Sequence, residues 1–139
     1  MNIIIDKTIV YAEVEDITGY TGKNSGDVDK ISATEDELNI LDRYWDDAII
    51  NAFNIIRRYS TMADDTLKVT YALTLPPNFN SGAEVPLNKN MRQYIVNFIC
   101  AKWFNLVKPE EVKTYDALCI NIASNISKLI MERTKPVRR

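Results

Sequence analysis

Histidine is absent from this 139-residue chain, which removes the side chain most often used as a general base and as a metal ligand near neutral pH. Glycine occurs four times, little material for the wrap of backbone amides that cradles a phosphate. Two cysteines, Cys100 and Cys119, are too few for a disulfide framework. Both fall in helical patterns and are expected to be buried free thiols acting as small hydrophobes, in keeping with synthesis in a reducing cytoplasm. No run reaches the ~18 apolar residues of a membrane span. The opening Met1-Asn2-Ile3-Ile4-Ile5-Asp6 has no basic region ahead of its apolar stretch and does not read as a secretion signal. The formal net charge is −2, so a whole-chain electrostatic footprint for nucleic acid is missing.

What remains is an ordinary globular composition, 46% hydrophobic and 26% charged, which excludes collagen-like, disordered and disulfide-scaffold classes. The length suits one domain, expected over residues 1–134, followed by a basic tail at 135–139. Charge is unevenly placed. From Lys128 to the end there are five cations (Lys128, Arg133, Lys135, Arg138, Arg139) and one acid, Glu132. That segment carries +4, so the preceding 127 residues carry −6. The asymmetry marks the C-terminus as a contact segment for something acidic.

Residues 2–5 are rich in isoleucine and read as a short strand. Asp6 can cap a helix over residues 7–18, with Val10, Val14 and Ile17 on one side and Gly19 and Gly22 ending it. Residues 20–33 are polar and read as an exposed loop. Thr34-Glu35-Asp36-Glu37 forms a capping box, and the helix it opens is expected to run to Met62. Leu38, Leu41, Trp45, Ala48, Ala52, Ile55, Tyr59 and Met62 step by three and four along it. Residues 66–75 change to period two: Leu67, Val69, Tyr71, Leu73 and Leu75 alternate with smaller or polar neighbours, as in a strand with one wet face. Pro76-Pro77 end it, and residues 78–85 read as a loop. Pro86 suits the first turn of a helix over residues 87–106. Its circumference is mostly apolar beyond Tyr94, which marks it as central. Pro109 opens a last helix to about Arg133, with Val112, Tyr115, Cys119, Ile122, Ile126 and Leu129 on one stripe; the tight break between the two predicts antiparallel packing. The fold class expected is mainly α: a bundle of three long helices and a short N-terminal one, with a small strand or hairpin element.

Catalytic patterns fail on inspection. Gly22-Lys23-Asn24 supplies only the tail of a phosphate loop, with Ile17 where the first glycine belongs and Asn24 in place of the hydroxyl. Asp27 and Asp29 begin a calcium-loop pattern that Lys30 and Ile31 break. Asp46-Asp47 and Glu110-Glu111 are sequence neighbours, which point about 100° apart on a helix and so do not form an acid–base pair. Ser127-Lys128 fails as a nucleophile–base pair for the same reason. Most aromatic side chains fall on core stripes. The adjacent Trp103 and Phe104 cannot face one direction, so one of them is expected at the surface or at an interface. The expectation is no enzyme, no catalytic, cofactor-binding or metal-binding residues, and no cofactor.

The order of parts resembles the small head–tail connector proteins of tailed bacteriophages, the adaptor family that forms a ring beneath the portal. Four stretches carry the likeness: the long helix 38–62 followed by the β segment 67–75; Met91-Arg92-Gln93-Tyr94-Ile95-Val96-Asn97-Phe98-Ile99-Cys100-Ala101-Lys102-Trp103-Phe104, similar to the family's central helix; the helical pair across Lys108-Pro109-Glu110-Glu111-Val112-Lys113-Thr114-Tyr115; and the ending Ile130-Met131-Glu132-Arg133-Thr134-Lys135-Pro136-Val137-Arg138-Arg139. The opening Asp6-Lys7-Thr8-Ile9-Val10-Tyr11 resembles connector proteins of phages of gut Bacteroidetes. The polar loop 20–33 departs from compact adaptors. The resemblance implies a structural virion protein of the neck, made in the host cytoplasm and assembled as a homo-oligomeric ring of about a dozen subunits. It implies contacts with the portal protein and with a stopper or tail protein, genomic DNA passing through the lumen without sequence-specific binding, and no membrane. It also implies a C-terminal arm of Arg133, Lys135, Pro136, Val137, Arg138 and Arg139 docking on the portal or on neighbouring subunits. Two alternatives stay open: a stopper or tail-completion protein of the same neck, and a cytoplasmic nucleic-acid-binding helical module acting through its basic end.

Overall fold

A computed structural model describes residues 1–25, 38–75 and 78–131. The chain begins with strand β1 (Asn2–Asp6) and passes directly into helix α1 (Lys7–Ser25). Helix α2 (Leu38–Ile56) leads to strands β2 (Ser60–Asp64) and β3 (Lys68–Leu73). Helix α3 (Glu84–Val107) and helix α4 (Val112–Met131) follow, each preceded by one turn of 3-10 helix. The fold is thus mainly α, with four helices among the described residues and a small antiparallel sheet ordered β1-β3-β2.

The sheet has one dry face. Ile3 lies opposite Tyr71 and Ile5 opposite Val69, and all four side chains are buried, as is Leu73. Asn2, Ile4 and Asp6 alternate to the other face and are exposed, the period-two pattern of a half-buried sheet. Tyr71 ties this sheet to α2. Its ring stacks on Phe53 with centroids 6.5 Å apart, and its Oη donates to the Ile49 carbonyl at 2.8 Å, which satisfies a hydroxyl that burial would otherwise strand. Asp6 caps α1 as its position predicts: Oδ1 accepts from the Thr8 amide at 2.8 Å.

Helix α3 runs through the middle. Leu87, Met91, Ile95, Val96, Ile99, Cys100, Trp103 and Phe104 are all in the core. It packs most extensively against α4. Phe104 stacks on Tyr115 with centroids 5.0 Å apart, while Cys119 lies against the Tyr94 carbonyl further along. Rising numbers on one helix meet falling numbers on the other, as an antiparallel hairpin requires. One continuous hydrophobic core joins the inner sheet face to all four helices.

Four expectations need correction. Gly19 and Gly22 do not end α1, which continues to Ser25; a helical glycine costs only about 1 kcal/mol relative to alanine, and the buried Val10, Val14 and Thr18 anchor the turns before them. Residues 20–25 of the expected loop are therefore helical, and its remainder lies outside the described residues, as does the capping box at Thr34. Helix α2 stops at Ile56, not Met62. The Tyr59 amide closes a turn onto the Ile56 carbonyl at 2.9 Å, and Ser60–Asp64 pairs with β3 instead. Tyr59 and Met62 pack against the core from there, so burial kept their helical spacing looking valid while β3's demand for a second partner decided the backbone. Leu67, expected on the inner face of the strand, lies outside β3 and is 65% exposed. Finally, Trp103 and Phe104 are both buried. A helix covered on most sides can bury adjacent residues in different neighbours, and α3 is such a helix.

Candidate functional site

The residues expected to bind partners, Arg133, Lys135, Pro136, Val137, Arg138 and Arg139, lie outside the described residues. The structure does place the point from which they leave. Helix α4 ends at Met131, whose Sδ accepts a hydrogen bond from Tyr59 Oη at 3.5 Å. The last described residue before the basic tail thus lies against the residue that precedes β2.

A cluster of polar and titratable groups sits where α1 meets α2. Asp42 Oδ1 accepts from Tyr11 Oη and makes an ion pair with Lys7 Nζ at 2.9 Å. The Lys7 ammonium also lies 5.5 Å above the Tyr11 ring, and that ring meets Trp45 edge-on. Burial would raise the Asp42 carboxyl, but the hydrogen bonds from Tyr11 and Lys7 and the lysine's charge outweigh it and hold it below the usual carboxylate range. Burial, then the hydrogen bond to Asp42 and the charges of Asp42 and Asp46, push the Tyr11 phenol well above its ordinary value. A phenol locked neutral and a carboxylate locked ionised are poor proton-transfer partners near neutral pH. The cluster does mechanical work: it fastens α1 to α2. A second cross-link, Arg92 Nε to Glu13 Oε1 at 3.2 Å, joins α3 to α1; the N–H there is not aligned as a hydrogen bond, so the pair attracts by charge alone.

Both cysteines are buried free thiols, as expected. Burial foremost pushes Cys100 far up, and pushes Cys119 up to about 12, so both stay protonated and unreactive as nucleophiles near neutral pH. The adjacent acids Asp46 and Asp47 are exposed on α2. Glu111 is engaged with Lys108 at 3.8 Å, while Glu110 is exposed. Ser127 and Lys128 are both solvent-facing on α4. Among the described residues, no three His, Cys, Asp or Glu side chains converge in a way that could hold a metal ion. An open groove of about 580 Å³ lies between the start of β1 and the first turns of α3, lined by Met1, Asn2, Glu84, Val85, Lys89 and Arg92 among others. Its cations and its acid share one wet surface, and among the described residues no buried nucleophile or base lines it.

The surface has a feature that sequence reading passed over. On α4, Ala117, Ile120, Ser124, Ser127 and Met131 are all exposed and fall within about 80° of the helix circumference at 100° per residue. Ile120 is 70% exposed and Met131 59%. An uncharged strip about 21 Å long therefore faces solvent. The helical spacing of these residues was readable, but the competing buried stripe of Cys119, Ile122 and Ile126 masked it. Further exposed apolar side chains are Leu106 before the turn into α4 and Ile4 on the sheet.

No protein family, curated protein or solved structure matches this chain. What the fold itself defines is a mainly α domain with a three-stranded antiparallel sheet. No helix among the described residues is long and apolar enough to cross a membrane.

Proposed function

We propose that this chain is a non-enzymatic structural protein of a tailed-phage virion: a head–tail connector adaptor subunit that forms an oligomeric ring between portal and tail. Its basic C-terminal arm docks on the portal or on neighbouring subunits. The observation that carries the reading is the uncharged exposed strip of α4, with Ile120 and Met131 on it, on the helix that leads into the basic arm. A ring subunit needs a lateral surface for its neighbour and arms that order on binding. Exposed apolar side chains on an uncharged helix face suit such a contact. The likeness in the order of parts to phage connectors adds to this.

Native mass spectrometry of the full-length protein tests the proposal. A closed species of about twelve subunits is expected, and deletion of residues 135–139 should leave the fold intact while abolishing assembly onto the portal. A monomer that also fails to co-purify with phage particles, or a tail-deleted chain that assembles normally, overturns the corresponding part. DNA affinity falling steeply with salt would instead favour a nucleic-acid-binding module.

A further inference from the structure

Strand β1 is an edge of the sheet: it pairs with β3 on one side, and no strand lies on its other side among the described residues. The Leu73 amide donates to the Met1 carbonyl at 2.8 Å and the Lys7 amide to the Leu67 carbonyl at 2.9 Å. These bonds set the alternation along the register. Ile3 and Ile5 turn their main-chain groups toward β3, so Asn2, Ile4 and Asp6 turn theirs outward. An unpaired row of amides and carbonyls is a template for another strand, and soluble proteins blunt such a row with proline, lysine or a bulge. Between Asn2 and Asp6 there is none of these: three isoleucines stand in sequence, and the pairing with β3 runs without a break.

The open groove of about 580 Å³ begins at this strand, with the first turns of α3 as its other wall, and its size is that of a ligand site. At 100° per residue, Val85, Asn88, Lys89 and Arg92 fall within about 100° of the helix circumference, with Glu84 beyond their flank. Lys89 is exposed and has no ion pair among the described residues. Arg92 meets Glu13 by charge, but its Nε is a buried donor with no hydrogen-bond partner, and its side chain is still 39% exposed. Val85 is 79% exposed. The wall thus offers two cations, an amide and an apolar side chain to whatever enters. The sheet's other edge differs: β2 has no cation within it and ends on Asp64, with Asp65 next.

We propose that the β1 edge and the α3 wall together bind an extended acidic peptide segment of a partner protein, which adds to β1 as a further strand of the sheet. The peptide main chain bonds to the outward groups of Asn2 and Ile4. Where it passes the start of β1, its carboxylates meet Lys89 and Arg92. Main-chain pairing supplies affinity that is indifferent to sequence, and the two cations select for acid. A carboxylate is the planar acceptor that a guanidinium fork fits. Val85 gives contact to an apolar side chain beside the acids, and Ile4, 51% exposed, gains a cross-strand neighbour. This inference does not rest on the connector reading, and it concerns a different surface from the α4 strip.

Titration of the full-length protein with a short blocked peptide alternating aspartate and valine tests it, read by calorimetry and by residue-resolved amide hydrogen exchange. Saturating peptide should slow exchange at the Asn2 and Ile4 amides about tenfold and leave Ile3 and Ile5, already bonded to β3, unchanged. Ile4→Pro should fold normally, since the amide it removes points away from β3, yet bind the peptide about tenfold more weakly. Lys89→Glu should weaken binding about tenfold as well, while Lys89→Arg retains it. Equal affinity for a peptide with asparagine in place of aspartate overturns the proposal, as does equal affinity of Ile4→Pro or no binding at millimolar peptide. Protection at Ile4 that rises with protein concentration in the absence of peptide also overturns it, because the occupant would then be a second copy. Should Ile4→Pro fail to fold, Lys89→Glu and a peptide with an N-methylated backbone still decide.

Discussion

Helices α3 and α4 form one hairpin yet use their surfaces in opposite ways. Between Leu87 and Phe104, α3 buries residues around most of its circumference, adjacent pairs such as Val96 with Ile95 and Phe104 with Trp103 included. Helix α4 buries a single stripe, Cys119, Ile122, Ile126 and Ile130, and leaves Ile120 and Leu118 in solvent. Helix α4 has the more isoleucine of the two, four in 20 residues against two in 24, so composition does not tell which helix is buried all round. Position does: α3 is touched by α1, α2, α4 and the sheet, while α4 packs mainly against α3 and more lightly against α2. An apolar side chain therefore has a different meaning on each helix. On α3 it holds the fold, and on the outer line of α4 it is available to a partner.

The largest effect that would sharpen this contrast is expected from Phe104→Ala. The ring is fully buried and stacked on Tyr115, so its removal leaves a cavity and should destabilise the protein by about 3–5 kcal/mol, read as a lower midpoint in chemical denaturation. A loss under about 1 kcal/mol would mean that α3 is not the pillar described.

A middling effect is expected at the α1–α2 fastening. Because the Asp42 carboxyl titrates lower in the folded chain than its ordinary value, the unfolded chain takes up the proton first as pH falls. The stabilisation is therefore complete above the ordinary carboxylate pKa of about 4 and is lost as pH drops through the folded-state value. Asp42→Asn should remove that acid-limb dependence, and Tyr11→Phe should weaken it, measured as denaturation midpoints between neutral and strongly acidic pH. Unchanged acid limbs in both variants would assign the fastening to packing of Tyr11 on Trp45 alone.

The smallest stability effect is expected at the outer strip. Ile120→Lys should change folding stability by no more than about 0.5 kcal/mol, yet should prevent ring formation in native mass spectrometry. Marked destabilisation would show that Ile120 contributes to the core after all, and the contrast between the two helices would fail.

Reading the chain without coordinates succeeds where a local rule has no competitor. The cap at Asp6, the alternation of Val69, Tyr71 and Leu73, the helix break at Pro109 and the burial of both thiols follow from hydrogen-bond geometry, side-chain period and ring constraints that act within a few residues. It fails where two rules agree locally and tertiary contacts choose between them. Tyr59 and Met62 fit a helical stripe and also pack on the core from a turn and a strand. Gly19 and Gly22 are cheap to keep helical once the preceding turns are anchored. The site was less legible than the fold. The basic tail could be picked out by charge, but the solvent-facing strip of α4 could not, because it is set by what the other elements leave uncovered.

What residue order alone settles here is therefore a set of elements and two chemical facts: no histidine for acid–base or metal chemistry, and cations gathered at one end. These are local or compositional properties and need no long-range contact. The docking of Met131 beside Tyr59, the burial of Trp103 together with Phe104 and the solvent-facing strip of α4 come only with the assembled molecule. Each depends on which surfaces the other elements occupy, and burial is a property of neighbours brought together across the chain rather than of the residue that is buried.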